Sequence, residues 1–167
     1  MRIKINGIVS IKTKEKTDFP KIPFFEELAP FPLAAESRYE LKGYMTIAKN
    51  GEMTVALSGE SNVSIVIPPV KKGKNQRVYW TCTDNQGTYS NYVFEIPKKE
   101  DDINDGFSYG ERKDGGNDWF ETVETTRISN KLSKYGGTLE IDSINDDMGI
   151  DERISIISVK IIPQSQA

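Results

Sequence analysis

The stretch Tyr39-Glu40-Leu41-Lys42-Gly43-Tyr44-Met45-Thr46-Ile47-Ala48-Lys49-Asn50-Gly51-Glu52-Met53-Thr54-Val55-Ala56-Leu57 decides the fold class. Tyr39, Leu41, Met45 and Ile47 share one parity and Glu40, Lys42, Tyr44 and Thr46 take the other, which is the signature of a strand with one buried face. Asn50-Gly51 supplies two residues that tolerate positive φ and so predicts a tight hairpin. Met53, Val55 and Leu57 form the return strand.

The same period of two recurs on either side. Upstream, Ile3, Ile5, Val9 and Ile11 alternate with Arg2, Lys4, Ser10 and Lys12. Downstream, strands are predicted over 63–67, 78–83, 89–96, 120–128, 138–141 and 154–162. Asp84-Asn85-Gln86-Gly87 marks a second hairpin, whose flanks gather Tyr79, Trp80, Tyr92 and Phe94 and so belong to the core. In the last segment the apolar parity switches between Ile156 and Ile157, which predicts a β-bulge there or burial on both faces.

These patterns predict an all-β, antiparallel sandwich or Greek-key barrel of about nine to ten strands in one domain, residues 1–167. Two stretches break the alternation. Residues 19–32 hold four of the eight prolines and four of the seven phenylalanines, which forbids a long helix or central strand and leaves room for one short helix near 26–29. Residues 98–118 are acidic, glycine-rich and nearly free of aliphatics. They read as a long loop that separates a front β unit (1–97) from C-terminal strands (119–162), and those strands should pair with the front sheet because they are too few to bury a core alone.

Composition excludes more chemistry than it suggests. The 167 residues contain no histidine and one cysteine, Cys82, so Ser-His-Asp or Cys-His catalysis and a zinc site have no residues to use. A lone cysteine forms no internal disulfide, and Cys82 reads as a small buried hydrophobe. The N-terminus lacks a signal-peptide apolar run, and no segment is long and apolar enough for a transmembrane helix, so a cytoplasmic location is expected.

The net charge of −3 divides unevenly: residues 1–100 carry 15 Lys/Arg against 11 Asp/Glu, and residues 101–167 carry 7 against 14. With the back third acidic, no nucleic-acid partner is expected. Lys71, Lys72, Lys74 and Arg77 around Gly73 read as a solvated hairpin loop.

Oxygen donors gather in three acidic stretches. Two of them, Asp101, Asp102, Asn104 and Asp105, then Asp142, Asn145, Asp146, Asp147 and Asp151, are the candidate metal ligands, and calcium is the metal that takes such donors. Asp114, Asn117 and Asp118 form the third stretch. An EF-hand is excluded, because Ile103 occupies a ligand position and Arg112 stands where the terminal Glu belongs. Paired carboxylates also admit a glycosidase, the one enzymatic alternative to a non-enzymatic protein. For partner contact the candidates are Phe24, Phe25 and Phe31 in the Pro/Phe stretch, with Tyr109 and Trp119 in or beside the polar loop.

Tyr135-Gly136-Gly137-Thr138-Leu139-Glu140-Ile141, followed by Ile156-Ile157-Ser158-Val159-Lys160-Ile161, resembles one motif of the βγ-crystallin Greek key. The resemblance implies calcium binding at Asp151-Glu152-Arg153-Ile154-Ser155-Ile156, where Asp151 and Ser155 match the family's loop and Glu152 and Ile156 depart from it. The expected function is therefore a non-enzymatic binding or interaction module, with calcium as the expected cofactor and a protein, glycan or membrane surface as partner. Its alternatives are a structural or assembly subunit of phage, viral or secretion machinery, or a small toxin, inhibitor or immunity protein.

Overall fold

The computed structural model describes residues 1–15, 34–97, 107–114, 117–147 and 151–164. Ten strands follow one another: β1 (Arg2–Glu15), β2 (Ala34–Ile47), β3 (Met53–Ser58), β4 (Asn62–Ile67), β5 (Gln76–Thr83), β6 (Tyr89–Ile96), β7 (Phe107–Asp114), β8 (Asn117–Asn130), β9 (Gly137–Asp147) and β10 (Asp151–Pro163). Each pairs antiparallel with the next, and β10 returns to β1, so the sheet closes into a barrel. The expected all-β antiparallel fold is thus found in its barrel form. Its strand order is an up-and-down meander rather than a Greek key, because every described strand lies beside its sequence neighbour. No described helix is long and apolar enough to cross a membrane.

Alternation sorts the side chains. Ile5 and Val9 on β1, Leu41 and Met45 on β2, Val55 and Leu57 on β3, and Val63 and Ile65 on β4 all point inward and are buried, together with Leu139 and Ile141 on β9 and Val159 and Ile161 on β10. Trp80, Phe94 and Tyr92 join them, as expected of the aromatic hairpin. Both predicted hairpins form, each with a glycine in the left-handed region. Gly51 has φ 92° and donates to the Ala48 carbonyl at 3.0 Å; Gly87 has φ 84° and donates to the Asp84 carbonyl at 3.1 Å. The Asn50-Gly51 turn is longer than a two-residue hairpin, with Ile47 facing Met53 across it.

Three expectations are corrected. Residues 107–114 are not loop but β7, which pairs with β6 on one side and β8 on the other. β8 pairs along its whole length and β6 along residues 110–113, and that tertiary pairing overrides a polar, glycine-containing sequence. Residues 142–147 extend β9, and pairing with β8 and β10 again supplies the reason. There is no bulge at Ile156-Ile157: β10 keeps one register throughout, so Ser155, Ile157, Val159 and Ile161 face inward while Ile156, 41% exposed, faces out. The bulge lies instead in β8, between Thr125 and Arg127, and there the inward parity changes from Val123 and Thr125 to Ile128. The short helix expected near 26–29 lies outside the described residues.

Candidate functional site

The strands run alternately up and down, so the β1–β2, β5–β6 and β9–β10 connections share one end of the barrel. Toward that end the inward positions turn polar on five strands at once. On β1 Val9 and Ile11 give way to Thr13, and on β2 Leu41 and Tyr39 give way to Ser37. On β6 Tyr92 is followed by Ser90, while β5 stays apolar from Trp80 to Cys82. On β9 Ile141 is followed by Ser143 and Asn145, and on β10 Ile157 is followed by Ser155 and Arg153. Registers place these residues side by side: Thr13 faces Ser155, Ser155 faces Ser143, and Arg153 faces Asn145.

Within this ring lies a cavity of about 250 Å³. Its floor is apolar, made by Ile11, Trp80, Tyr92, Phe94 and Ile157. Its wall and rim are polar, with the hydroxyls of Thr13, Ser37, Ser143 and Ser155 below Asn145 and Arg153. The Tyr92 and Phe94 rings stack at 5.7 Å between centroids. Ser143, almost fully buried, donates to Asn145 Oδ1 at 3.1 Å, which compensates the desolvation of its hydroxyl.

Two charged side chains contribute to the described lining, Asp84 and Arg153. Asp84 is largely committed to its own turn, since its Oδ1 accepts from the Gln86 and Thr88 amides, both at 2.9 Å. Arg153 takes part in none of the described ion pairs, whereas Arg77 pairs with Glu95 at 2.9 Å, and Arg127 pairs with Glu140 at 2.7 Å and Asp142 at 2.8 Å.

Cys82 is the buried residue expected, and it also lines the cavity. Burial first, and the nearby Asp84 charge second, push its thiol up to about 11 from 9.0. The folded protein therefore holds this proton more tightly than the unfolded chain. Stability from this group is complete below about pH 9 and declines as pH rises through about 11. Alkylation of Cys82 in the native protein should accordingly be slow at neutral pH and accelerate steeply above pH 9, as a thiol-labelling time course read by mass spectrometry would record. Rapid labelling at neutral pH would contradict the burial.

The residues singled out from sequence are dispersed. Asp142 lies on the outer face of β9, held by Arg127, while Asn145 points into the cavity, so an odd spacing on one strand puts them on opposite faces. Asp146, Asp147 and Asp151 lie at the tip of the β9/β10 hairpin, where Asp147 faces Asp151 and Asp146 faces Glu152 in register. Asp101, Asp102, Asn104 and Asp105 fall outside the described residues, but the strand ends that flank them, Ile96 and Phe107, lie at the opposite end of the barrel. No group of three metal-ligating acids or cysteines occurs among the described residues. Phe24, Phe25 and Phe31 also lie outside the described residues, and Tyr109 and Trp119 sit within β7 and β8 rather than in a loop.

A second, shallower concavity of about 570 Å³ lies at the other end of the barrel, beside Pro68, Pro69, Lys71, Lys74 and Arg77. It holds three of the four residues of the basic loop. Arg77 is already neutralised by Glu95, whose hydrogen bond raises its pKa, and Asn75 donates to the same carboxylate at 2.7 Å.

No family model matches the chain, and no curated protein does. Among solved structures, that of the ywiB protein from Bacillus subtilis superposes with a TM-score of 0.53 at 12% identity, over 98% of this chain and 94% of that one. The likeness is one of fold. Residues 135–162, the stretch that resembles a βγ-crystallin motif, form the β8–β9 turn and the β9/β10 hairpin, with Gly136 at φ 92°.

Proposed function

We propose that this protein is a non-enzymatic binding module and that its ligand is a small molecule held in the open end of the barrel. The observation that carries the reading is the joint change from apolar to polar lining on five strands around one cavity. A barrel selected for stability alone gains most by continuing its apolar core to the end, and buried hydroxyls and an arginine work against that gain. An apolar floor beneath a few convergent polar groups is the general form of a small-ligand site. A carboxylate pair of the glycosidase kind has no support here, because Asp84 is the single carboxylate of the described lining and its Oδ1 is engaged.

Thermal unfolding in the presence of single-ring fragments, charged and neutral, at millimolar concentration tests the reading. Fragments that enter the cavity should raise the midpoint by several degrees, since they bind only the folded state, and the same fragments should slow Cys82 alkylation at alkaline pH. A set in which no fragment does either would overturn it.

A second reading, calcium responsiveness, is favoured by one feature, the register that faces Asp147 with Asp151 and Asp146 with Glu152. Like charges opposed across a strand pair repel, and a divalent cation relieves that repulsion. Millimolar calcium should then raise the unfolding midpoint and magnesium should raise it less. Equal, negligible shifts with both ions would remove calcium from the account.

A further inference from the structure

The cavity's charge narrows the ligand class. Resting on the binding reading above, we propose that the ligand is a small organic anion with an apolar body, and that Arg153 is the counter-ion that selects it.

Arg153 is at an inward position of β10, with Asn145 of β9 and Glu15 of β1 as its register neighbours, and it lines the cavity. Its two strongest points of contrast are Arg77 and Arg127, which lie on the outer surface and are each satisfied by carboxylates. Arg153 lies on the wall of the barrel interior and joins no described ion pair. A half-buried guanidinium with no ion-pair partner among the described residues is an arrangement that an incoming carboxylate would relieve, and its planar fork suits two-point recognition of that group.

The surroundings favour the same chemistry. Thr13 and Ser155 face each other in register next to Arg153, and hydroxyl donors there complement an anionic oxygen. The opposing charge of Asp84 is turned in part toward its own loop amides. Below, Trp80, Phe94 and Ile157 offer an apolar floor with no acceptor for a second charge. A volume of about 250 Å³ corresponds to roughly eight waters at about 30 Å³ each, which suits a single-ring or short branched acid.

The test uses phenylacetate and its neutral counterpart phenylacetamide, titrated into the whole protein and followed by the backbone amide resonances of Ser143, Ser155 and Arg153. The native protein should bind phenylacetate at least about tenfold more tightly, the size of a hydrogen-bonded charge pair formed in a partly dry site. Arg153→Gln should erase that ratio while leaving the unfolding midpoint close to native, and Arg153→Lys should retain part of it.

Equal binding of the two probes, or a preference for the amide, would overturn the anion assignment and leave the cavity reading standing. A preference for phenylacetate that survives Arg153→Gln would overturn the role of Arg153. If neither probe moves the cavity amides, the binding reading itself fails.

Discussion

Replacing Trp80 with alanine is expected to lower the unfolding free energy by about 3–5 kcal/mol, the range for large aromatic deletions from a core. Trp80 is 1% exposed and faces Ile65 on β4 and Tyr92 on β6, so it ties three consecutive strands together through one side chain. Two terms add: the apolar surface returned to water and the space left behind, which the closed sheet cannot collapse to fill. Because Trp80 also forms the cavity floor, the new space merges with a chamber that opens to solvent, and water entering it meets the stacked faces of Tyr92 and Phe94. For a domain of this size each kcal/mol moves the midpoint by roughly 2–4 °C, so a fall of around ten degrees is expected. Urea denaturation followed by circular dichroism measures it, with Trp80→Phe as a milder companion that keeps an aromatic floor. A loss below about 1 kcal/mol would show that Trp80 is not packed as described.

Gly43→Ala is expected to be the second large effect, at about 3 kcal/mol, the upper end of the range for overpacking. Gly43 lies on β2 between Ile5 of β1 and Leu57 of β3 in register. A Cβ at this position would overlap the backbone carbonyl oxygen of Ala56 and come within 3.0 Å of the Leu57 Cα. Backbone in a sheet cannot rotate aside as a side chain can. Relief therefore requires β2 and β3 to part, which weakens the ladder between them.

Gly87→Ala is the informative contrast. Nothing lies within 4 Å of its virtual Cβ, and its φ of 84° is the sole source of strain. That strain costs about 1 kcal/mol for one residue. Denaturation of the two variants side by side should rank Gly43→Ala as clearly the more damaging. Equal losses would refute the steric account of Gly43.

Much of the barrel was legible along the chain because strand formation on a half-buried sheet leaves a local record. Ile3, Ile5, Val9 and Ile11 can be read as an inward face without knowing what they touch, and so can Leu41 with Met45 and Val55 with Leu57. The record fails where local and tertiary preferences diverge. β7 carries Gly110 and several charges and looks like loop, yet it pairs with β8 along its length and with β6 at residues 110–113. Ile154 and Ile156 suggested a bulge because an apolar residue was assumed to face inward, and Ile156 instead faces solvent.

The candidate site is partly legible too, in polar residues that interrupt the apolar faces of the strands. Ser143 and Asn145 after Ile141, Ser155 and Arg153 before Ile157, and Thr13 after Ile11 all put polar residues on an apolar parity. One such interruption is ordinary. Its meaning appears only when the registers stack all of them at one end of a closed sheet. The acidic residues show the reverse: Asp142 and Asn145 are close in sequence, and the pleat sends them to opposite faces.

By itself, then, the sequence determined the strand class, the two hairpins, the aromatic core and the absence of histidine and zinc chemistry, since each depends on composition or on neighbours within a few residues. Only the tertiary structure decided the closure of β10 onto β1, the meander order, the position of the bulge and the cavity around Arg153. The closure depends on pairing between segments some 150 residues apart, such as Val9 with Val159. The free energy of that pairing comes from shared burial and a completed ladder, which no short stretch of chain records.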